Sequence, residues 1–163
     1  MKRIINTIIT LIVLLVTGSV FAAALQPDQA TFKGLSLSSN REKVLQVMGE
    51  PYRIGNWQYT NEPIYEYPGV NFAFFTKFAS KSTDPLSKII IDAPQAELDN
   101  GLKTGMSSTT VINKLGRGFG YDSARDEMVY SLLIDPVNYT LGFLTIQLEG
   151  DVVKRIIVER TKD

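Results

Sequence analysis

Hydrophobic and polar residues follow three regimes along this chain. From Ile4 to Val16 the sequence is almost wholly aliphatic, interrupted by Asn6, Thr7 and Thr10. Two short stretches then carry apolar residues at helical spacing. In the first, Val44, Leu45 and Met48 share a face with Val47 beside it, while Arg41, Lys43 and Gln46 point outward. Ser39 followed by Glu42 reads as a capping box, and Gly49 with Pro51 as the stop. In the second, Ser107 or Ser108 is the cap, Val111, Ile112 and Leu115 form the face, and Gly116 is the stop. Helices of roughly ten residues are unstable alone, so both must pack on a sheet.

The third regime is strand-like alternation rich in β-branched and aromatic residues. It predicts strands over 57–60, 64–67, 71–78, 87–92, 128–134, 139–149 and 152–160. Pro68-Gly69, Asp135-Pro136 and Glu149-Gly150-Asp151 mark tight corners between them, and connections this short force antiparallel pairing.

A shift of 67 places aligns residues 34–92 with 101–159 without a gap. Gly34/Gly101, Leu35/Leu102, Val44/Val111, Gly49/Gly116, Val70/Val137, Asn71/Asn138, Asp84/Asp151, Ile89/Ile156 and Ile90/Ile157 are identical. The expected fold class is α+β: two tandem repeats, each a short helix (or helix pair) packed on an antiparallel β-meander sheet. The expected organisation is a signal peptide over 1–24, a flexible lead-in over 25–33, a first repeat over 34–92, a linker over 93–100 and a second repeat over 101–163.

The leader reading rests on Lys2 and Arg3 before the aliphatic run and on the small residues Gly18, Ser19, Ala22, Ala23 and Ala24 after it. Cleavage after Ala22 and cleavage after Ala24 fit equally well. No Cys follows to take a lipid anchor, so the expected product is periplasmic or secreted without a stable membrane anchor.

Composition closes most routes to chemistry. The chain has no His and no Cys, which removes imidazole bases, thiol nucleophiles, disulfides and zinc-finger spacings. Lys+Arg and Asp+Glu both total 17, leaving no basic excess for a nucleic acid. Among the remaining candidates, Ser39, Ser107 and Ser108 precede helices and read as caps, and the repeated Asp84 and Asp151 read as turn residues. No catalytic residue, cofactor or metal site is expected.

The aromatic residues are unevenly placed. In the 67-residue alignment Tyr65, Tyr67, Phe72 and Phe74 face Leu132, Ile134, Tyr139 and Leu141, which predicts burial for all four. Trp57, Tyr59 and Phe75 face Ala124, Asp126 and Gly142, and these three are the candidate partner-binding residues, since Trp and Tyr dominate interface hot spots.

The Gly34 start, the helix with Val44, the Gly49-x-Pro51 stop and the strand at Trp57-Gln58-Tyr59 together resemble the SmpA/OmlA (BamE-type) domain superfamily of the bacterial envelope. The two-copy arrangement is similar to that of the β-lactamase inhibitor proteins. The resemblance implies a non-enzymatic protein-binding module whose partner is another protein of the periplasm or outer membrane. Its alternative is a proteinaceous inhibitor of a periplasmic or secreted enzyme, for which an exposed loop over 120–127 would be the signature.

Overall fold

A computed structural model describes residues 24–56, 62–75, 83–118, 120–122, 124–135 and 140–161. Among the described residues two eight-residue helices, α1 (Arg41–Met48) and α2 (Ser108–Leu115), accompany eight strands. These are β1 (Arg53–Asn56), β2 (Pro63–Tyr67), β3 (Val70–Phe74), β4 (Leu86–Ile91), β5 (Gly120–Asp122), β6 (Glu127–Asp135), β7 (Thr140–Glu149) and β8 (Val152–Arg160). All eight lie in one antiparallel sheet, ordered β1-β2-β3-β4-β8-β7-β6-β5.

The expected fold class is therefore corrected. The molecule is mostly β and built on one continuous sheet, not on two tandem helix-plus-sheet repeats. The reason lies in β4 and β8. Their apolar residues pair directly, Ile89 with Val158 and Ile91 with Ile156, so neither half ends in an edge at the centre. One core spans the seam, with Phe72, Phe74, Leu86, Ile89, Ile91, Leu144, Ile146 and Ile156 at no more than 1% exposure. Val44 of α1 and Val111 of α2 are wholly buried against the same core.

The helices start and stop for the reasons read from sequence, with one change. Asn40, not Ser39, caps α1, accepting from the Lys43 amide at 2.9 Å, while Ser39 turns its hydroxyl back to the Ser36 amide. Ser107 caps α2 through the Thr110 amide. Gly49 and Gly116 close the helices at φ of 76° and 80°, each donating its amide to the carbonyl four residues back.

Two edge strands, β1 and β5, escaped the sequence pattern because an edge position exposes most of their residues and imposes no alternation. Within the stretch 120–127, Gly120–Asp122 forms β5 and pairs antiparallel with the start of β6. The lead-in packs against the sheet where it is described. Leu25 bridges to Leu132 of β6, a 3₁₀ turn follows over Pro27–Ala30, and Leu25, Ala30 and Phe32 are buried. The expected strand over 57–60 lies outside the described residues.

The pairing register refines the internal correspondence. Helices, edge strands and β4/β8 keep the 67-residue offset: Asn40 bridges Pro85 as Ser107 bridges Val152. The inner strands do not. Ile54 pairs with Tyr65 as Tyr121 pairs with Met128, so Tyr65 corresponds to Met128 and Tyr67 to Tyr130. Phe72 pairs with Ile89 as Ile146 pairs with Ile156, so Phe72 corresponds to Ile146, and Phe74 to Leu148. Both halves even carry a bulge at the same place, before Phe74 and before Leu148. A hairpin can lengthen at its turn without disturbing its neighbours as long as the inward-facing parity survives. By the same register Val70 corresponds to Leu144 and Asn71 to Thr145, while Val137 and Asn138 lie outside the described residues.

Candidate ligand cavity

The site is built where α2 meets the second half of the sheet. The amide of Ser108, at the first position of α2, donates to the Asp151 carbonyl in the β7–β8 turn at 2.9 Å, and its hydroxyl donates to the Asp151 carboxylate. That tie fixes the helix start over the turn. From there Ile112 on α2, Met128 on β6 and Leu148 on β7 line an open cavity of about 510 Å³. Tyr121 of the edge strand and Arg117, just past the helix stop, stand at its mouth.

Helical spacing decides which side chains look inward. Val111 goes wholly into the core, while Ile112 remains 36% exposed over the cavity. Tyr121 is 60% exposed, and its ring is positioned by its hydroxyl, which donates to Asp126 at 2.6 Å. That bond, with lesser contributions from desolvation and the Asp126 charge, holds the Tyr121 hydroxyl above its ordinary pKa. Asp126 adopts φ of 54°, a left-handed turn conformation that Asp tolerates. The result is an apolar pocket with one carboxylate, one guanidinium and one aromatic ring at its opening. Large apolar side chains left exposed beside a concavity are what a binding surface needs.

Of the three partner-binding residues singled out from sequence, Phe75 alone is among the described residues. Trp57 and Tyr59 lie outside the described residues. Phe75 is half-buried at the end of β3, where its amide donates to the Pro85 carbonyl at 3.1 Å. Its comparison with Gly142 does not hold, because the register places Glu149, not Gly142, at the corresponding position. Gly142 has its own explanation: a Cβ there would lie 2.4 Å from the Glu159 carbonyl oxygen and 2.7 Å from Ile134 Cδ1. Tyr65, Tyr67, Phe72 and Phe74 are buried as expected. Asp84 and Asp151 do not meet as an acid–base pair; each serves the helix of its own half. Among the described residues no cluster of three or more acidic side chains is arranged to hold a metal ion.

The cavity itself was missed. Its one legible signal was the alignment of Arg41 with Ser108 beside the preserved Asp84/Asp151 pair, a long charged side chain exchanged for a short one next to the same acid.

No family model and no curated protein matches the chain. Among solved structures it is similar to an extracellular protein containing an SCP domain from Bacillus anthracis, at 11% identity and a TM-score of 0.49 over 76% of this chain and 43% of that one. This chain thus spans less than half the length of that neighbour. It is also similar to the DUF4309 family protein YjgB from Bacillus subtilis, at 14% identity and a TM-score of 0.43 over 79% and 84% of the two chains. The uncharacterised protein YfeY from Escherichia coli is matched at 12% identity and a TM-score of 0.38, over 85% of this chain and the whole of the other. Among the described residues no helix is long and apolar enough to cross a membrane.

Proposed function

We propose that this chain is an exported, non-enzymatic binding protein that receives a segment of a partner protein in the cavity beside α2. The observation that carries the reading is that cavity: about 510 Å³ of open, apolar-walled space whose exposed Ile112 and Tyr121 await a cover. Burying such walls under a partner supplies affinity without covalent chemistry. Export is supported by the Lys2/Arg3 start, the aliphatic run and the small residues through Ala24. The resemblance to BamE-type envelope domains supports a partner in the periplasm or outer membrane. The apolar cavity, a feature that receives a partner segment rather than inserting one, favours the scaffold reading over the alternative of a proteinaceous inhibitor.

The chain's lack of Cys makes the test clean, because Ile112→Cys introduces its single thiol. A photo-crosslinker on that thiol, used in cells that export the protein, is expected to join it to one discrete protein. The same label at Gln46→Cys, on exposed α1, is expected to join none. Equal labelling from both positions would refute the cavity as the binding site. Intact mass of the exported product is expected to show loss of the residues through Ala22 or Ala24.

A further inference from the structure

We propose that the cavity beside α2 is a receptor for an arginine side chain of the partner, with Asp151 as the carboxylate that receives its guanidinium. This rests on the reading of the chain as a binding protein and names what that protein binds.

The first half of the sheet displays the occupant. Arg41 and Ser108 each open their helix, and each donates its amide to the carbonyl of the corresponding Asp, at 3.1 Å for Asp84 and 2.9 Å for Asp151. Each also donates a side-chain hydrogen to that Asp's carboxylate. The strand register sets Tyr65 where Met128 stands and Phe74 where Leu148 stands. In the first half the enclosed space is taken by Arg41. Its guanidinium carbon lies 5.6 Å from the centre of the Tyr65 ring and 5.2 Å from that of Phe74, and Nη2 reaches Asp84 at 3.1 Å. In the second half the acid is kept, the arginine is cut back to Ser108, and the two rings become Met128 and Leu148. The counterparts of Arg41, Tyr65, Phe74 and Asp84, namely Ser108, Met128, Leu148 and Asp151, all line the cavity.

The chemistry of the opening agrees. An arginine pairs an aliphatic stem with a flat cation, and here Ile112, Met128 and Leu148 supply apolar walls while Asp151 supplies the counter-charge. The Tyr121 ring at the mouth offers the guanidinium an aromatic face, as Tyr65 and Phe74 do for Arg41. Among the described residues Asp151 joins no ion pair; the neighbouring Lys154 is engaged by Glu149 at 3.1 Å. Arg117 and Asp151 are both exposed, so water screens the repulsion of an incoming cation and its attraction alike, and contact of the stem with the apolar walls supplies the remainder.

The test is methyl NMR of the purified protein, read at Ile112, Met128 and Leu148, with four probes: the N-acetyl amides of arginine, citrulline, norleucine and glutamate. Arginine is expected to shift all three residues saturably and to bind about threefold tighter than its neutral isostere citrulline. Asp151→Asn is expected to erase that preference. Ser108→Arg, which rebuilds the first-half arrangement, is expected to fill the cavity from within and abolish binding of the arginine probe without lowering Tm. Citrulline or norleucine binding as well as arginine, or glutamate binding tightest, would overturn the arginine assignment yet leave the cavity a binding site. Undiminished arginine binding in a folded Ser108→Arg variant would also overturn it. Silence of these methyls toward all four probes would overturn the cavity reading itself.

Discussion

Arg41 and Asp84, 43 positions apart in sequence, form an ion pair at 3.1 Å whose two side chains are only 9% and 10% exposed. The pair pins the start of α1 to the approach of β4, and the rings of Tyr65 and Phe74 flank the guanidinium. In the second half the Ser108 hydroxyl stands in place of the guanidinium, beside the same amide-to-carbonyl bond. The two halves thus solve one junction in a sealed and an open way.

Breaking the sealed version is expected to be expensive. Arg41→Ala or Asp84→Ala should each cost ~3–5 kcal/mol, because each leaves a buried charge without its principal counter-charge. The double variant Arg41→Met/Asp84→Asn should cost well below the sum of the single losses, since the two groups share one interaction. Urea denaturation of the set checks this. Ser108→Ala, at the exposed junction, should cost about 1 kcal/mol or less.

Two tyrosines tie the helix ends to the sheet. Tyr67 donates to the Gly49 carbonyl at 2.7 Å and Tyr130 to the Gly116 carbonyl at 3.1 Å, and both rings are buried. Tyr67→Phe and Tyr130→Phe should each cost ~1 kcal/mol, adding in the double variant because the sites share no partner. Denaturant midpoints measure both.

Burial, reinforced by the charges of Glu50 and Tyr65, pushes the Tyr67 hydroxyl up to about 12 from its ordinary 10.0. The folded state therefore holds this proton more tightly than the unfolded chain does. Its contribution to stability is complete below pH 10.0 and is lost as pH rises from there to about 12. Wild type should lose more stability than Tyr67→Phe over that window, as alkaline unfolding curves would show.

Asp99 makes the opposite pH prediction. Desolvation alone would raise its pKa, but bonds from Thr31 and from the Gly34 and Lys33 amides outweigh it and hold the carboxyl below its ordinary 3.8. Its stabilisation is present above that value and is lost as pH falls through the lowered folded pKa. Asp99→Asn should narrow the gap between neutral and acid stability, measured by Tm against pH.

Glycine substitutions should separate the crowded strand from the open one. Gly142→Ala drives a Cβ against the Glu159 carbonyl at 2.4 Å and should cost at least ~1–3 kcal/mol. Gly120→Ala meets nothing within 4 Å and should stay within about 0.5 kcal/mol of wild type. Tm of the two variants decides it.

Local order was legible wherever the cause is local. The glycine stops of both helices, the Ser107 cap and the strand at 152–160 follow from propensity and alternation over a few neighbours. Edge strands β1 and β5 were not legible, because their pairing partner, not their own pattern, makes them strands. The candidate site was hidden for a related reason. An ungapped alignment pairs Tyr65 with Leu132, whereas hydrogen-bond register sets it against Met128, and only the register reveals which wall is missing its filler.

The sequence by itself determined the two helices, most strands, their antiparallel sense and the 67-residue correspondence of helix, turn and central strand. Each of these is written in the spacing of apolar, glycine and capping residues along the chain. Only the tertiary structure decided that β4 and β8 join both halves into one sheet and that the hairpins slip in register between them. It alone gathered Ser108, Ile112, Met128 and Leu148 around an open cavity. Those outcomes depend on which faces meet across the fold, and the volume between side chains from α2, β6 and β7 exists only once they have met.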